Sequence, residues 1–118
     1  MDKNLLAEHG IDYDKGVKNS MNDPEFFRML LSMFLEDTCF PRARTAFAAK
    51  NQKELFSCMH ELKGVSGNAA LTGLYNTVGP LVELLRDGAS DFEEVDRMFQ
   101  SADAAYERTC EGIRLALQ

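Results

Sequence analysis

Residues 52–70 read QKELFSCMHELKGVSGNAA, and this stretch decides the fold. When successive residues are placed about 100° apart, as in an α-helix, the apolar side chains gather on one side. That side carries Leu55, Cys58, Met59, Leu62, Ser66 and Ala69. The opposite side carries Ser57, His60, Gly64 and Gly67, flanked by Phe56 and Lys63. The pattern predicts a helix from Gln52 to about Ala70 that exposes His60.

Gly64 and Gly67 are unexpected on the solvent-facing side of a helix. A glycine in a helix interior costs about 1 kcal/mol relative to alanine. On an exposed side it brings no packing benefit to the folded monomer. The absence of side chains would let the surface of another protein approach the helix backbone beside His60. We therefore predict a docking face with His60 at its centre.

The chemistry of His60 suits such a face. Neutral imidazole is a competent nucleophile near neutral pH, because its unperturbed pKa is about 6.5. A phosphoryl group on a ring nitrogen would add dense negative charge. Lys63 follows one helical turn later and could offset that charge through its flexible ammonium group.

A second helix is predicted to start at Asp23 and Pro24. Aspartate is a favourable N-cap, and proline suits the first turn. Apolar residues then recur at helical spacing, namely Phe27, Leu30, Leu31, Phe34 and Leu35. Pro41 disfavours the α conformation at Phe40. The sequence therefore predicts that this helix ends near Phe40 and that Pro41 opens a short one.

Turn and capping residues predict the remaining helix boundaries. Two pairs resemble capping boxes, Asn51 with Glu54 and Ser90 with Glu93. Thr72 is expected to cap a helix that ends at Gly88, a favourable C-cap. Within that helix Pro80 cannot donate to the carbonyl of Asn76, so a kink or a split is expected at Gly79-Pro80.

These helices predict the architecture. No stretch shows the sustained period-2 alternation of a strand. Four long helices with short connections predict an all-α fold, an antiparallel four-helix bundle with one or two short accessory helices at the N-terminus. The 118 residues suit one domain with one core. Residues 1–21 are expected to form the accessory segment and residues 22–118 the bundle.

Composition argues against several function classes. Hydrophobic residues make up 45% and charged residues 27%, which is typical of a globular protein. The net charge is -6, and an acidic surface repels nucleic-acid phosphates and anionic lipid. The sequence contains neither the roughly 20 apolar residues that span a bilayer nor a secretory signal. We expect a cytoplasmic monomer that binds neither nucleic acid nor membranes.

The other cysteine, histidine and apolar residues have ordinary interpretations. Cys39, Cys58 and Cys110 match no zinc-ligand spacing, so we expect reduced, packed thiols and no metal site. His9 is expected to be a solvated helix end. Five apolar residues are expected in the core rather than in a binding groove, namely Phe26, Phe27, Met29, Met33 and Phe34.

The stretch His60-Glu61-Leu62-Lys63-Gly64-Val65-Ser66-Gly67-Asn68 resembles the signature of histidine-containing phosphotransfer (HPt) domains. That signature runs His-x-Leu-Lys-Gly-x-Ser/Ala with a Gly-Asn-type continuation. The resemblance implies a helical bundle with an exposed histidine midway along one helix. This histidine would accept a phosphoryl group from the aspartyl phosphate of a receiver domain and pass it to another receiver.

The resemblance also implies roles for residues and partners. His60 would be the phosphoryl carrier, Lys63 its charge partner and Gly64 the residue that leaves room for the receiver. Contacts with the partner are expected from Phe56, Ser57, Gly64, Gly67 and Asn68, although partial core burial is an equal alternative for Phe56. The partners would be receiver domains and a hybrid sensor histidine kinase. The chain would bind no cofactor, and the Mg²⁺ used in transfer would lie on the receiver.

Two features depart from the family pattern. Ala70 stands where family members often carry another small residue, frequently glycine. Gly79-Pro80 interrupts the helix that follows the histidine helix. In some members a polar residue on that neighbouring helix holds the second imidazole nitrogen, and here Asn76 and Glu83 are both candidates for that role.

Two other function classes stand beside the phosphorelay carrier. The first is a phosphorylation-independent adaptor that binds a receiver or a kinase through the face formed by His60, Gly64 and Gly67. The second is an enzyme, which the sequence disfavours. It contains no phosphate-cradling glycine loop, no Ser/His/Asp arrangement and no metal-ligand cluster. The resemblance to HPt domains also implies a carrier that has no ATP site and is not a kinase by itself.

Overall fold

The computed structural model describes residues 1–88 and 91–118, and it is built of α-helices. In chain order these are α1 (Lys3–Glu8), α2 (Tyr13–Asn19), α3 (Pro24–Glu36), α4 (Cys39–Ala48), α5 (Gln52–Asn68), α6 (Thr72–Arg86) and α7 (Phe92–Leu117). No strand occurs within the two described ranges. The predicted all-α fold is confirmed, and the accessory N-terminal segment contains two short helices.

The five longer helices form an antiparallel bundle with four positions, one of which is shared by two helices in succession. α3 and α4 are separated by only two residues and together fill the first position of the bundle. α5 packs on α4 and on α6, and α6 packs on α7. The rings of Phe40 and Phe47 on α4 stack on Phe99 and Phe92 of α7, so these two helices also pack together and run in opposite directions. α7 therefore lies diagonally across the bundle from α5.

The break between α3 and α4 comes earlier than predicted. α3 ends at Glu36 and α4 begins at Cys39, so Phe40 is helical. In an unbroken helix Pro41 could not donate to the carbonyl of Asp37, and its ring would clash with that group. Placing Pro41 in the first turn of α4 removes this conflict and allows Phe40 to be buried.

The predicted boundaries of α5 and α6 hold at some positions and not at others. Asn51 caps α5, where its Oδ1 accepts a hydrogen bond from the amide of Glu54 at 3.1 Å. Thr72 is the first residue of α6 rather than its cap, because Leu71 occupies the N-cap position. Gly88 follows the end of α6 with a φ of +70°, the left-handed conformation that favours glycine.

Pro80 does not split α6. The helix is continuous from Thr72 to Arg86, with Pro80 inside it. Pro80 and Asn76 are both exposed, so water can bond the Asn76 carbonyl that has lost its helical donor. Of the two alternatives expected at Gly79-Pro80, a kink or a split, the split is therefore wrong, and the kink stays a prediction.

Asp91 caps the last helix. Its Oδ1 accepts hydrogen bonds from the amides of Glu93 and Glu94, at 3.1 and 3.3 Å. One carboxylate thus satisfies two amides of the first turn, which accounts for the start of α7. The capping role predicted for Ser90 lies outside the described residues.

Backbone hydrogen bonds fasten the N-terminal segment to the connection between α5 and α6. The amide of Gly73 donates to the carbonyl of Gly10 at 2.9 Å, and the amide of Asp12 donates to the carbonyl of Ala70 at 3.0 Å. Ala70 has a φ of +55°, a conformation that costs alanine more than glycine. This explains why a glycine would suit that position.

His9 is a helix end as predicted, but it is half-buried against α7 rather than solvated. It ends α1, and its Nδ1 lies 2.8 Å from the carbonyl oxygen of Leu5. On α7 the chain has Gly112 opposite His9, where an added Cβ would lie 2.4 Å from the Cβ of His9. The prediction of solvation fails because α1 docks closely on α7, a contact that local sequence does not reveal.

The aromatic residues and methionines of α3 separate into two sides. Phe27 and Phe34 are buried and Phe26 is half-buried, in line with the predicted core. Met29 and Met33 are 51% and 57% exposed, so the prediction that they belong to the core is wrong. Both methionines lie on the side of α3 opposite its buried residues.

The three cysteines are buried free thiols, namely Cys39, Cys58 and Cys110. Burial raises the pKa of the Cys39 thiol to about 12, helped by the negative charge of Glu61. Burial also raises the pKa of Cys58 and Cys110. Thiols held in the protonated form are inert, which agrees with the predicted packing role.

Candidate functional site

The exposed side of α5 centres on His60. Burial of one side of the helix fixes this orientation, and the buried residues are Leu55, Cys58, Met59, Leu62 and Ser66. His60 lies midway along the helix and is exposed, as predicted. Ser57, Gly64 and Asn68 are exposed on the same side, and Phe56 is half-buried at its edge. We call these five residues, Phe56, Ser57, His60, Gly64 and Asn68, the His60 face.

The imidazole of His60 is not engaged by the rest of the protein. Within residues 1–88 and 91–118 it has no hydrogen-bond or ion-pair partner. The ring of Phe56 lies beside it, with 5.7 Å between the two ring centroids. Lys63 is half-buried one turn further along α5, and its ammonium group likewise has no partner within those ranges. Neither ring nitrogen of the exposed His60 is therefore engaged in a hydrogen bond within the described ranges.

α6 borders the His60 face on one side. The guanidinium carbon of Arg86 lies 5.6 Å from the centroid of the Phe56 ring, and Arg86 also donates to Glu83 at 3.3 Å. Neither Glu83 nor Asn76, the two candidates for holding the imidazole, bonds to His60 in the described structure. The sequence analysis missed Arg86, because its position beside Phe56 depends on the register between α5 and α6.

The two glycines that follow His60 differ in their surroundings. A Cβ added at Gly64 would meet no other atom within 4 Å. A Cβ added at Gly67 would lie 3.2 Å from the ring of Tyr75 on α6. The prediction that the glycines bring no packing benefit is therefore confirmed for Gly64. It is wrong for Gly67, because Tyr75 packs against that point of α5.

α3 and α4 border the His60 face on its other side. Arg42 of α4 forms an exposed ion pair with Glu61 of α5 at 3.2 Å. Beyond this pair, Leu30, Met33 and Val65 line a mainly apolar groove of about 290 Å³. His60 thus has an ion pair on each side, and the apolar groove lies beyond the pair on the side of α3 and α4.

The His60 face is an open surface rather than a cleft. A cavity of about 550 Å³ lies between α1, α2 and the start of α6, and His60 is not among its lining residues. Small-molecule sites usually bury most of the ligand in a concave pocket. An open surface around an unpaired nucleophile is better suited to contact with another macromolecule.

Two further findings concern metals and membranes. Residues 1–88 and 91–118 contain no group of three or more His, Cys, Asp or Glu side chains that could hold a metal ion. Of the helices described here, none combines the length and the apolar character needed to cross a membrane.

Comparisons with known proteins identify the family. A family model described as the Hpt domain matches residues 29–112. Comparison with curated proteins gave no match, and comparison with solved structures gave none. The matched range covers well over half of the chain, and it includes all of α4, α5 and α6 together with His60 and Lys63. The chain therefore belongs to the Hpt domain family.

Proposed function

We propose that His60 accepts a phosphoryl group from the aspartyl phosphate of a receiver domain and passes it to another receiver. Membership of the Hpt family makes the chain a histidine phosphotransfer carrier of two-component signalling. His60 is proposed as the phosphorylated residue because its imidazole, midway along α5, is exposed and has no partner within the described residues. His9, the second of the two histidines, is instead packed against Gly112.

The proposed transfer is an in-line displacement at phosphorus. The unprotonated ring nitrogen of His60 attacks the phosphoryl group, and an N–P bond forms as the P–O bond to the aspartate breaks. The aspartate leaves as a carboxylate with the electron pair of that bond. The receiver supplies Mg²⁺ on its own acidic residues. Onward transfer reverses these steps on a second receiver.

The surroundings of His60 support this chemistry. The ammonium of Lys63 would offset the charge of the phosphoryl group from one turn away. The open space at Gly64 would let the receiver approach the backbone of α5. The proposed contacts with the receiver are Phe56, Ser57, Gly64, Gly67 and Asn68.

The domain organisation and the further partners of the carrier are also proposals. We place residues 1–118 in one domain that acts without an ATP site, as a phosphotransfer intermediate rather than an enzyme with its own substrate. A hybrid sensor histidine kinase is proposed as a further partner. A monomeric state and a cytoplasmic location stay predictions.

A phosphotransfer assay tests the function. A panel of phosphorylated receiver domains is mixed with the wild type, with His60→Gln and with His9→Gln, and acid-labile, base-stable label is followed. The wild type and His9→Gln should become labelled, whereas His60→Gln should not. Far-UV circular dichroism on each variant shows that the helices are intact.

The outcomes separate the hypotheses. Label on folded His60→Gln would show that the site assignment is wrong. If a receiver binds the wild type but never labels it, the protein is a phosphorylation-independent adaptor. ATP turnover by the isolated chain would instead indicate an enzyme.

A further inference from the structure

Arg86, at the end of α6, and His60 of α5 both lie beside the ring of Phe56. Its guanidinium carbon is 5.6 Å from the Phe56 centroid, which is in turn 5.7 Å from the centroid of His60. The cation and the imidazole therefore share one aromatic neighbour. Lys63 lies one turn from His60 in the other direction along α5. Two cations thus bracket the histidine.

The guanidinium of Arg86 has only a weak partner. Its two hydrogen bonds to Glu83 measure 3.3 and 3.4 Å, and the two side chains are 47% and 61% exposed. Exposed ion pairs of this kind contribute little to stability. Arg44 provides the contrast, because it bonds both Asp103 and Glu107 at 2.6 Å. Arg86 is therefore far freer than Arg44 to take another anion.

A phosphoryl group on His60 would be a stronger anion for Arg86 than Glu83 is. A phosphoryl group carries up to two negative charges and three acceptor oxygens near neutral pH. The planar fork of a guanidinium matches two of these oxygens at once. The face of the Phe56 ring can stabilise the guanidinium between Glu83 and the phosphoryl group through cation–π attraction.

We propose that Arg86 is a second phosphoryl-binding cation, which moves from Glu83 to the phosphoryl oxygens when His60 is phosphorylated. Together with Lys63 it would hold the phosphoryl group from both sides along α5. The inference rests on the proposed function, because it requires a phosphoryl group on His60. It adds a phosphoryl-binding residue from α6 to His60 and Lys63 of α5.

A phosphorus NMR titration of the full chain tests this role without any receiver. The wild type and variants are loaded with phosphoramidate, a small phosphoryl donor, and the phosphohistidine resonance is followed against pH. A nearby cation favours the dianion and so lowers the pKa of the phosphoryl group. Arg86→Gln should therefore raise that pKa by about 0.2 to 0.7, the range expected for one exposed ion pair.

Arg114→Gln is the matched control, because Arg114 is an exposed arginine in the last turn of α7. It removes the same charge from the opposite side of the bundle and should titrate like the wild type. Arg86→Lys should restore part of the effect, and 1 M salt should reduce the difference between variants.

The results distinguish this inference from the function on which it rests. If Arg86→Gln titrates like Arg114→Gln at low salt, the role of Arg86 is overturned and the carrier function stands. If the wild type gives no phosphohistidine resonance, or the resonance persists in His60→Gln, both are overturned.

Discussion

Two helical glycines in different regions of this molecule, Gly112 and Gly64, have opposite surroundings. At the junction of α1 with α7, a Cβ on Gly112 would lie 2.4 Å from the Cβ of His9. On the His60 face, a Cβ on Gly64 would meet nothing within 4 Å. The contacts within the chain explain Gly112 fully, and they do not explain Gly64.

The comparison shows how a docking surface can be told from a packed interface. A glycine that the fold requires is recognised by the atom that would clash with its side chain. A helical glycine in open space costs stability with no internal return. Contacts within the described residues give Gly64 no role, and the proposed receiver supplies one.

Gly112→Ala should give the largest effect. The new Cβ overlaps His9, whose Cβ is fixed to the backbone of α1, so α1 must move. Overpacking of this kind costs about 1–3 kcal/mol, and we expect an unfolding free energy lower by that amount in urea titrations. The double variant with His9→Gly removes the obstructing atoms and should recover part of the loss. Equal stability of Gly112→Ala and the wild type would show that α1 is not packed as described.

Gly64→Gln should slow phosphotransfer by about tenfold, equivalent to about 1.4 kcal/mol, without lowering stability. The glutamine side chain would occupy the space through which the receiver approaches. Rapid-quench measurement of transfer from one receiver checks the rate, with Ala104→Gln on the exposed surface of α7 as control. An unchanged rate in folded Gly64→Gln would contradict the steric role of this glycine.

Gly79→Ala should leave the unfolding free energy within about 1 kcal/mol of the wild type. Alanine has the higher helix propensity, but the ring of Pro80 disfavours the α conformation in a preceding residue that carries a Cβ, so the two effects offset each other. Thermal unfolding followed by circular dichroism measures the change. A larger loss of stability would mean that α6 needs glycine before Pro80 for its backbone, which would place Gly79 with Gly112 rather than with Gly64.

Gly67→Ala should have the smallest effect, within about 0.5 kcal/mol of the wild type. The gain in helix propensity is offset by the contact of the new Cβ with Tyr75, at 3.2 Å. Tyr75 is partly exposed, so its ring can move slightly. In a Tyr75→Ala background the same substitution should be clearly stabilising, by the same urea assay. Identical effects in both backgrounds would show that Tyr75 does not press on this position.

The features predicted well from the sequence depend on neighbouring residues. Apolar spacing placed His60 on the exposed side of α5, and Asn51 and Gly88 marked helix ends. A helix side is set by the 3.6-residue repeat, and a cap by atoms within a few residues. The resemblance to HPt domains, predicted from the nine residues His60 to Asn68, was confirmed by the Hpt match over residues 29–112.

The features that the sequence missed depend on residues far apart in the chain. The packing of helices against one another decided three of these features. They are the exposure of Met33, the partial burial of His9 and the contact that Gly67 faces. The position of Arg86 beside Phe56 belongs to the same group. By itself the sequence determined the helices and the outward direction of His60, because both are local properties of one helix. The tertiary structure decided what surrounds His60, because the register between helices depends on how all their side chains pack at once.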